Sequence, residues 1–358
     1  MQHNCGNSAR GCWHNALGMT MNAANVLRVA GALLAGLLVL LPAAWGTVAI
    51  WYQTPGGQAF KVLAVILWAA FSFGLLAFIW QGRTMFALAS FALAFAALLL
   101  WWHRIPATND RTWADDVARE LSGTLAGNRV TLHNVRNFDW HSEAEFTQRW
   151  ETRTYDLDRL DSVDMIMSYW RGPAIAHMMV SFGFDDATHV VFSVEIRREK
   201  GEAFSEIGGF FKQFELSIIA ADEDDIIKVR TNIRGEDDYL YRVKMPRADI
   251  RSLFMGYVEQ ANELVTTPRF YNTITVNCTT LVYHMMERIV GHLPFDYRVI
   301  FTGYLPAYVY KVGGLDQRYP LAVLRERGRI TGRAQRSDRS STFSADIRRG
   351  IPELPPAQ

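Results

Sequence analysis

The sequence predicts an α+β protein: three N-terminal transmembrane helices, then a soluble domain combining an antiparallel sheet with helices. Three observations carry that expectation. Residues 29–52, 62–80 and 85–102 contain no charged residue, and each is near the roughly twenty residues a helix needs to cross a hydrocarbon core. Further on, Val190, Phe192, Val194 and Ile196 alternate with Val191, Ser193, Glu195 and Arg197, the two-residue period of a strand. After Asn277 the period becomes helical, with Leu281, Val282, Met285, Met286 and Ile289 on one face.

The apolar runs end in Trp51, Tyr52, Trp80, Trp101 and Trp102, amphipathic rings that prefer the membrane interface. Short connectors, residues 53–61 and 81–84, separate them. Two further runs follow the first, so it is not a cleaved signal peptide. Arg10, Arg28 and Arg83 against Lys61 place the N-terminus in the cytoplasm and everything after residue 102 outside. No ionisable residue lies within the runs, so they read as an anchor rather than an ion path.

A chain of 358 residues accommodates such an anchor, residues 29–102, and one domain of ordinary size. Its formal charge of +1 excludes a nucleic-acid partner, for there is no basic field to attract phosphates. Three cysteines, Cys5, Cys12 and Cys278, provide no disulfide framework. Residues 1–28 read as a disordered cytoplasmic segment. His3, Cys5, Cys12 and His14 there match no zinc spacing, and no metal or cofactor is expected.

The domain is expected over residues 111–320. Residues 129–138 read as a strand, 143–150 as a short helix, 163–170 as a strand and 189–197 as a strand with one solvated or site-bearing face. Residues 204–219 read as a helix interrupted at Gly208-Gly209, and Asp222 to Asp225 as a solvated acidic turn. Residues 226–234 and 239–244 form a hairpin-like pair, and 247–264 a helix that Pro246 opens and Pro268 follows. From Arg325 onward eight arginines stand among few apolar residues. Residues 325–358 are expected to be a mobile tail that lies on anionic lipid headgroups.

Chemistry centres on Cys278. As the first residue after the cap Asn277, its thiol faces the positive helix end and unpaired backbone N–H groups, with Thr279 and Thr280 beside it. Both influences favour thiolate, the nucleophilic form; the alternative is a small buried hydrophobe. A cysteine nucleophile needs a base and a group to orient that base. His284 lies six residues into the same helix and points elsewhere, and His103 sits at the membrane edge. His177, among Ile175, Ala176, Met178 and Met179, is the candidate base, with Glu195 or Ser193 on a neighbouring strand accepting its other proton.

The segments Asn134 to Trp140, Ala176-His177 with Ser181 to Phe184, Ser193-Val194-Glu195 with Arg197-Arg198-Glu199, and Tyr271-Asn272-Thr273 with Asn277-Cys278-Thr279-Thr280 together resemble one family. It is the Lnb N-terminal periplasmic domain family of bacterial envelope proteins. The resemblance covers roughly residues 130–315, and Asn-Cys-Thr-Thr is its most specific piece.

The resemblance implies a permuted papain-like domain related to the cell-wall peptidases, with histidine before cysteine, on the periplasmic side of a bacterial inner membrane. It further implies acyl transfer from a phospholipid to the amine of a lipoprotein. Cys278 is then the nucleophile and His177 the base. Strand alternation adds Glu195 as orienter, and Asn277, Thr279, Ser193 and Arg197 are supporting candidates. In the family's namesakes the membrane helices follow the catalytic domain; here they precede it. The same pair would also hydrolyse an ester or amide. Expected partners are membrane lipids and either lipoproteins or peptidoglycan; a cell-wall amidase and a non-catalytic envelope module are the alternative readings.

Overall fold

The computed structural model describes residues 23–338 and 340–354, so His3, Cys5, Cys12 and His14 lie outside the described residues. The chain divides into two units, Met1–Ile105 and Pro106–Gln358.

In the first unit the helices are α1 (Ala23–Gln53), α2 (Gln58–Trp80) and α3 (Thr84–His103). Each is long and apolar enough to cross a membrane. Ala35, Val39 and Ala43 of α1 pack with Leu75, Ile79, Ala87 and Phe91. Small residues let the helices approach closely: a Cβ on Gly46 would lie 2.8 Å from Leu98 and 2.9 Å from Trp68. Trp68 Nε1 donates to Ala43 O at 2.9 Å, which satisfies an indole where hydrocarbon would leave it unpaired.

The second unit begins with the strands β1 (Ser122–Ala126), β2 (Arg129–Arg136), β3 (Asp139–Trp140), β4 (Phe146–Thr147), β5 (Trp150–Asp156), β6 (Leu160–Tyr169), β7 (His177–Phe184) and β8 (His189–Arg197). Then come α4 (Glu206–Phe210), β9 (Glu215–Ala221), α5 (Glu223–Lys228), β10 (Asp237–Arg242), α6 (Arg247–Thr266) and α7 (Cys278–Val290). The chain continues through α8 (Tyr297–Ile300), α9 (Leu305–Lys311), α10 (Leu321–Gly328), α11 (Thr331–Arg336) and α12 (Phe343–Arg348). Eight strands make one mixed sheet in the order β1-β2-β9-β8-β7-β6-β10, with β5 also on β2. Pairing is antiparallel except between β2 and β9, which run parallel at Arg136 and Ala221.

Alternation along the central strands sends side chains into two cores. Phe182, Phe192 and Val194 meet Phe254, Tyr257, Leu281 and Met285 of α6 and α7. Met179, Val191 and Ile219 meet Ile226, Ile330, Ala334, Phe343 and Ile347 on the other face. Of the two readings of the second face of β8, solvated or site-bearing, the solvated one does not hold, for the face is covered: Val191 and Ser193 are both fully buried.

That cover includes the segment expected to be a mobile tail. Ile330, Ala334, Phe343 and Ile347 recur at four-residue helical spacing within α11 and α12 and their starts, and all four are buried. Arg348 joins them, donating to Asp164 at 2.9 Å and to Glu223 at 2.7 Å. Arg329 holds Asp237 at 2.8 Å. These two arginines neutralise carboxylates of the domain. Few apolar residues are enough when they share one face.

Four other expectations change. Residues 143–150 form no helix; Phe146 stacks on Phe138 and meets Trp140 at a tilt, while Phe138 meets Trp150 edge-on, which holds the β3–β4 hairpin. The expected helix over 204–219 stops at Phe210, and the wholly buried run Glu215–Ala221 becomes a central strand. The acidic turn is the start of α5, with Glu223 and Asp225 buried against Arg348 and Arg136. Residues 226–234 consequently form no hairpin arm; α5 runs on into a π-helical turn, Val229–Ile233.

Candidate active site

Asn277 shapes the start of α7. Its Oδ1 accepts from Thr279 N and Thr280 N, both at 2.9 Å, and Thr280 Oγ1 accepts from Asn277 N at 2.9 Å. This reciprocal cap fixes the first turn, and Asn277 Nδ2 ties it to Thr273 O at 2.8 Å. It also engages two N–H groups expected to be open to a ligand, leaving Cys278 N–H as the helix-start donor that the cap does not take. The Cys278 sulfur lies 3.8 Å from Thr279 Oγ1.

His177 opens β7 and lies opposite the polar positions of β8, where Met179 pairs with Ser193. Ser193 Oγ donates to Glu195 Oε1 at 2.6 Å, so the same oxygen accepts from His177 Nε2–H at 2.7 Å. Glu195 Oε1 is itself 3.1 Å from Nε2. With Nε2 committed as a donor, Nδ1 is the nitrogen left for Cys278. The residues just before His177 are pinned as well: Ala176 N donates to Thr302 Oγ1 at 2.9 Å, and Gly303 N to Ala174 O at 3.0 Å.

Electrostatics couple these groups. Burial pushes the Cys278 thiol up, but hydrogen bonding to His177, its positive charge and the Met178 N–H outweigh it, and the thiol ends below its ordinary value. Burial pushes His177 down, yet the Glu195 charge and the hydrogen bond with Cys278 raise it to about 9. Glu195 pays a burial cost too, and His177 followed by Arg230 hold it well below the carboxylate range. A thiolate beside an imidazolium is the consistent assignment.

Arg230, in the π-helical turn, donates to the same Glu195 oxygen, Oε1, at 3.1 Å and reaches Glu236 at 3.1 Å. Ser168 Oγ contacts both Glu236 and Asp238. One hydroxyl hydrogen cannot serve two carboxylates, and burial raises Asp238 to about 7, so a proton on Asp238 completes the pairing near neutrality.

Cys278, His177, Glu195 and Asn277 line one cleft of about 610 Å³, within the size range of small-molecule sites. Trp170, Ile175, Phe204, Phe210, Ile274 and Phe301 supply an apolar wall, and each is exposed. Tyr271 also lines it; burial, then the Cys278 and Glu195 charges, push its phenol up. Among the described residues no group of three His, Cys, Asp or Glu side chains could hold a metal ion.

Residues 146–303 match the model of the Lnb N-terminal periplasmic domain. The Lnb match takes in His177, Ser193, Glu195, Arg230 and Cys278, and it ends beside the Thr302 contact that pins Ala176. It leaves out the three apolar helices and the segment from α9 to α12. No curated protein and no solved structure matches the chain.

The structure brings Cys278, His177, Ser193, Glu195, Asn277 and Thr279 together. Arg197 lies apart. It pairs with Glu120 at 2.7 Å, donates to Val117 O and Ala118 O, and stacks 4.4 Å from Trp113. Its role is to fasten the segment before β1. Sequence reasoning missed Arg230, Arg234 and Glu236. Reading residues 226–234 as a strand put the two arginines in extended backbone, whereas their four-residue spacing places both on one helical face.

Proposed function

We propose that this chain is a membrane-anchored thiol acyltransferase or hydrolase acting on lipid or lipoprotein acyl groups in the bacterial envelope. The observation that carries it is a coupled Cys278–His177–Glu195 array opening onto a cleft whose wall is apolar. The strand histidine preceding the helix-start cysteine supports the permuted papain-like reading, and the three apolar helices support anchoring. An acyl chain suits that wall better than a polar cell-wall peptide does.

Cys278 thiolate attacks the carbonyl carbon of an ester or amide, and the carbonyl oxygen takes the negative charge. Cys278 N–H is the backbone donor for it. The tetrahedral intermediate collapses, the C–O or C–N bond breaks, and the His177 imidazolium gives its proton to the departing alcohol or amine. A thioester remains. An amine or water then loses a proton to neutral His177 as it attacks, and Cys278 leaves as thiolate. Glu195 keeps the imidazole oriented and offsets its charge through both half-reactions. Tethering beside a bilayer raises the effective concentration of lipid substrate.

The test is turnover of an ester-linked amphiphile by the full chain in detergent, with and without an added primary amine. Free acid or amide that appears with wild type and not with Cys278→Ala supports the reading. Equal product from both proteins defeats it.

A further inference from the structure

Four arginines line the cleft: Arg136, Arg198, Arg230 and Arg234. Three are matched by carboxylates at hydrogen-bond distance. Arg136 grips Asp225 at 2.9 and 3.0 Å, Arg198 holds Asp116 at 2.8 and 2.9 Å, and Arg230 holds Glu195 and Glu236 at 3.1 Å.

Arg234 differs. Its nearest carboxylate among the described residues is Glu236 at 3.9 Å, and Glu236 already takes Arg230 and Ser168. Of the other carboxylates of the lining, Glu143 and Glu206 form no ion pair with it, and Glu195 and Asp116, already held by Arg230 and Arg198, act on it only through their more distant charge. Its side chain keeps 28% of its surface exposed, so the guanidinium is half-withdrawn from water with its fork of donors unused. Burial, and then the like charge of Arg230, hold its proton less firmly than usual. A cation held that way beside an apolar wall is poised for an anion that brings its own hydrocarbon.

We propose that Arg234 is a specificity-determining residue that binds an anionic group, phosphate or carboxylate, of an amphiphile whose chain lies along Trp170, Phe204, Phe210 and Phe301. This rests on the acyl-transfer reading of the cleft. The ligand would place negative charge at Arg234 and hydrocarbon on the wall, with its carbonyl at Cys278 between them.

Occupancy can be read without turnover, as protection of Cys278 from iodoacetamide, scored by mass spectrometry of the Cys278 peptide so that Cys5 and Cys12 do not contribute. The full chain is kept in dodecyl maltoside, and dodecyl phosphate, dodecyltrimethylammonium or inorganic phosphate is added. Dodecyl phosphate is expected to protect, the cationic amphiphile and inorganic phosphate to protect far less. Arg234→Gln should need roughly tenfold more dodecyl phosphate, the loss of about one charge-assisted contact, and Arg234→Lys less of a change. With wild type alone, raising salt should weaken protection by dodecyl phosphate.

Equal protection of wild type and Arg234→Gln, or equal protection by both amphiphiles, would overturn the proposal. Protection by inorganic phosphate alone would overturn its amphiphile part in favour of a free-anion site. Arg234-dependent protection in a protein that forms no acyl-enzyme would defeat the catalytic reading and leave the subsite standing. Acylation with no dependence on Arg234 would do the reverse.

Discussion

Arg230 Nη2 lies 3.1 Å from Glu195 Oε1, on the same oxygen that faces His177 Nε2 at 3.1 Å. The carboxylate that orients the imidazole is thus held between two cations, one from β7 and one from a π-helical turn. Such turns are rare and concentrate at functional sites. Arg230→Leu would leave Glu195 and Glu236 without their shared counter-charge, an effect of about 3–5 kcal/mol for a buried pair. A large fall in melting temperature is expected. Arg230→Lys keeps the charge without the fork, and should melt closer to wild type while showing weaker Cys278 reactivity. A wild-type melt for Arg230→Leu would show the brace to be dispensable.

The pH profile should have two limbs. Cys278 is lowered below an ordinary thiol, so its alkylation rate should rise at a lower pH than that of a free cysteine. His177 is raised to about 9, so steps that need the imidazolium should fail as pH climbs through about 9. Glu195 is the largest upward influence on His177, and Glu195→Gln should move the alkaline limb to lower pH and the alkylation limb to higher pH. A Cys278 rate that titrates like a free thiol in wild type contradicts the ion pair.

The C-terminal helices should be integral to the domain. Glu223 is buried, and Arg348 outweighs that burial to bring its carboxyl down to about 2. A depressed carboxyl contributes stability above its unfolded value and loses it as pH falls toward about 2. Arg348→Leu takes away the arginine that holds Glu223 and leaves Asp164 with Arg242 at 3.8 Å alone, so its melting temperature at neutral pH should drop sharply, and the deficit should shrink in acid as Glu223 protonates. An unchanged melt would mean that the segment does not pack on the sheet.

Gly303 offers a steric test of how His177 is placed. A Cβ there would lie 2.2 Å from Pro173 O and 2.7 Å from Ala174 C, both backbone atoms that cannot turn aside. Gly303→Ala should displace the turn that leads into Ala176 and slow Cys278 alkylation, although it touches neither His177 nor Cys278. A rate equal to wild type would show that the turn tolerates the shift.

These relationships were unevenly legible in the sequence. The apolar spans, the alternation of β8 and the cap at Asn277 are strong local patterns, and each survives in the structure. Ser193 and Glu195 followed from strand parity alone, because residues two apart share a face. Arg197 has the same parity yet serves another contact, since parity says nothing about position along the strand. Residues 226–234 misled because Ile226, Ile227 and Val229 favour strand locally, while Arg136 and Arg348 clamp Asp225 and Glu223 and make a helix start there. Arg348 looked solvated because its buried carboxylate partners, Asp164 and Glu223, stand more than a hundred residues earlier.

The central claim is that Cys278 carries an acyl group during turnover. The direct measurement is the intact mass of the full chain after exposure to an ester-linked amphiphile, followed by peptide mapping. The account predicts an increment of one acyl group on the Cys278 peptide, released by neutral hydroxylamine and missing in Cys278→Ala and His177→Ala. A protein that turns over substrate with no such increment, or that carries it equally in Cys278→Ala, would contradict it.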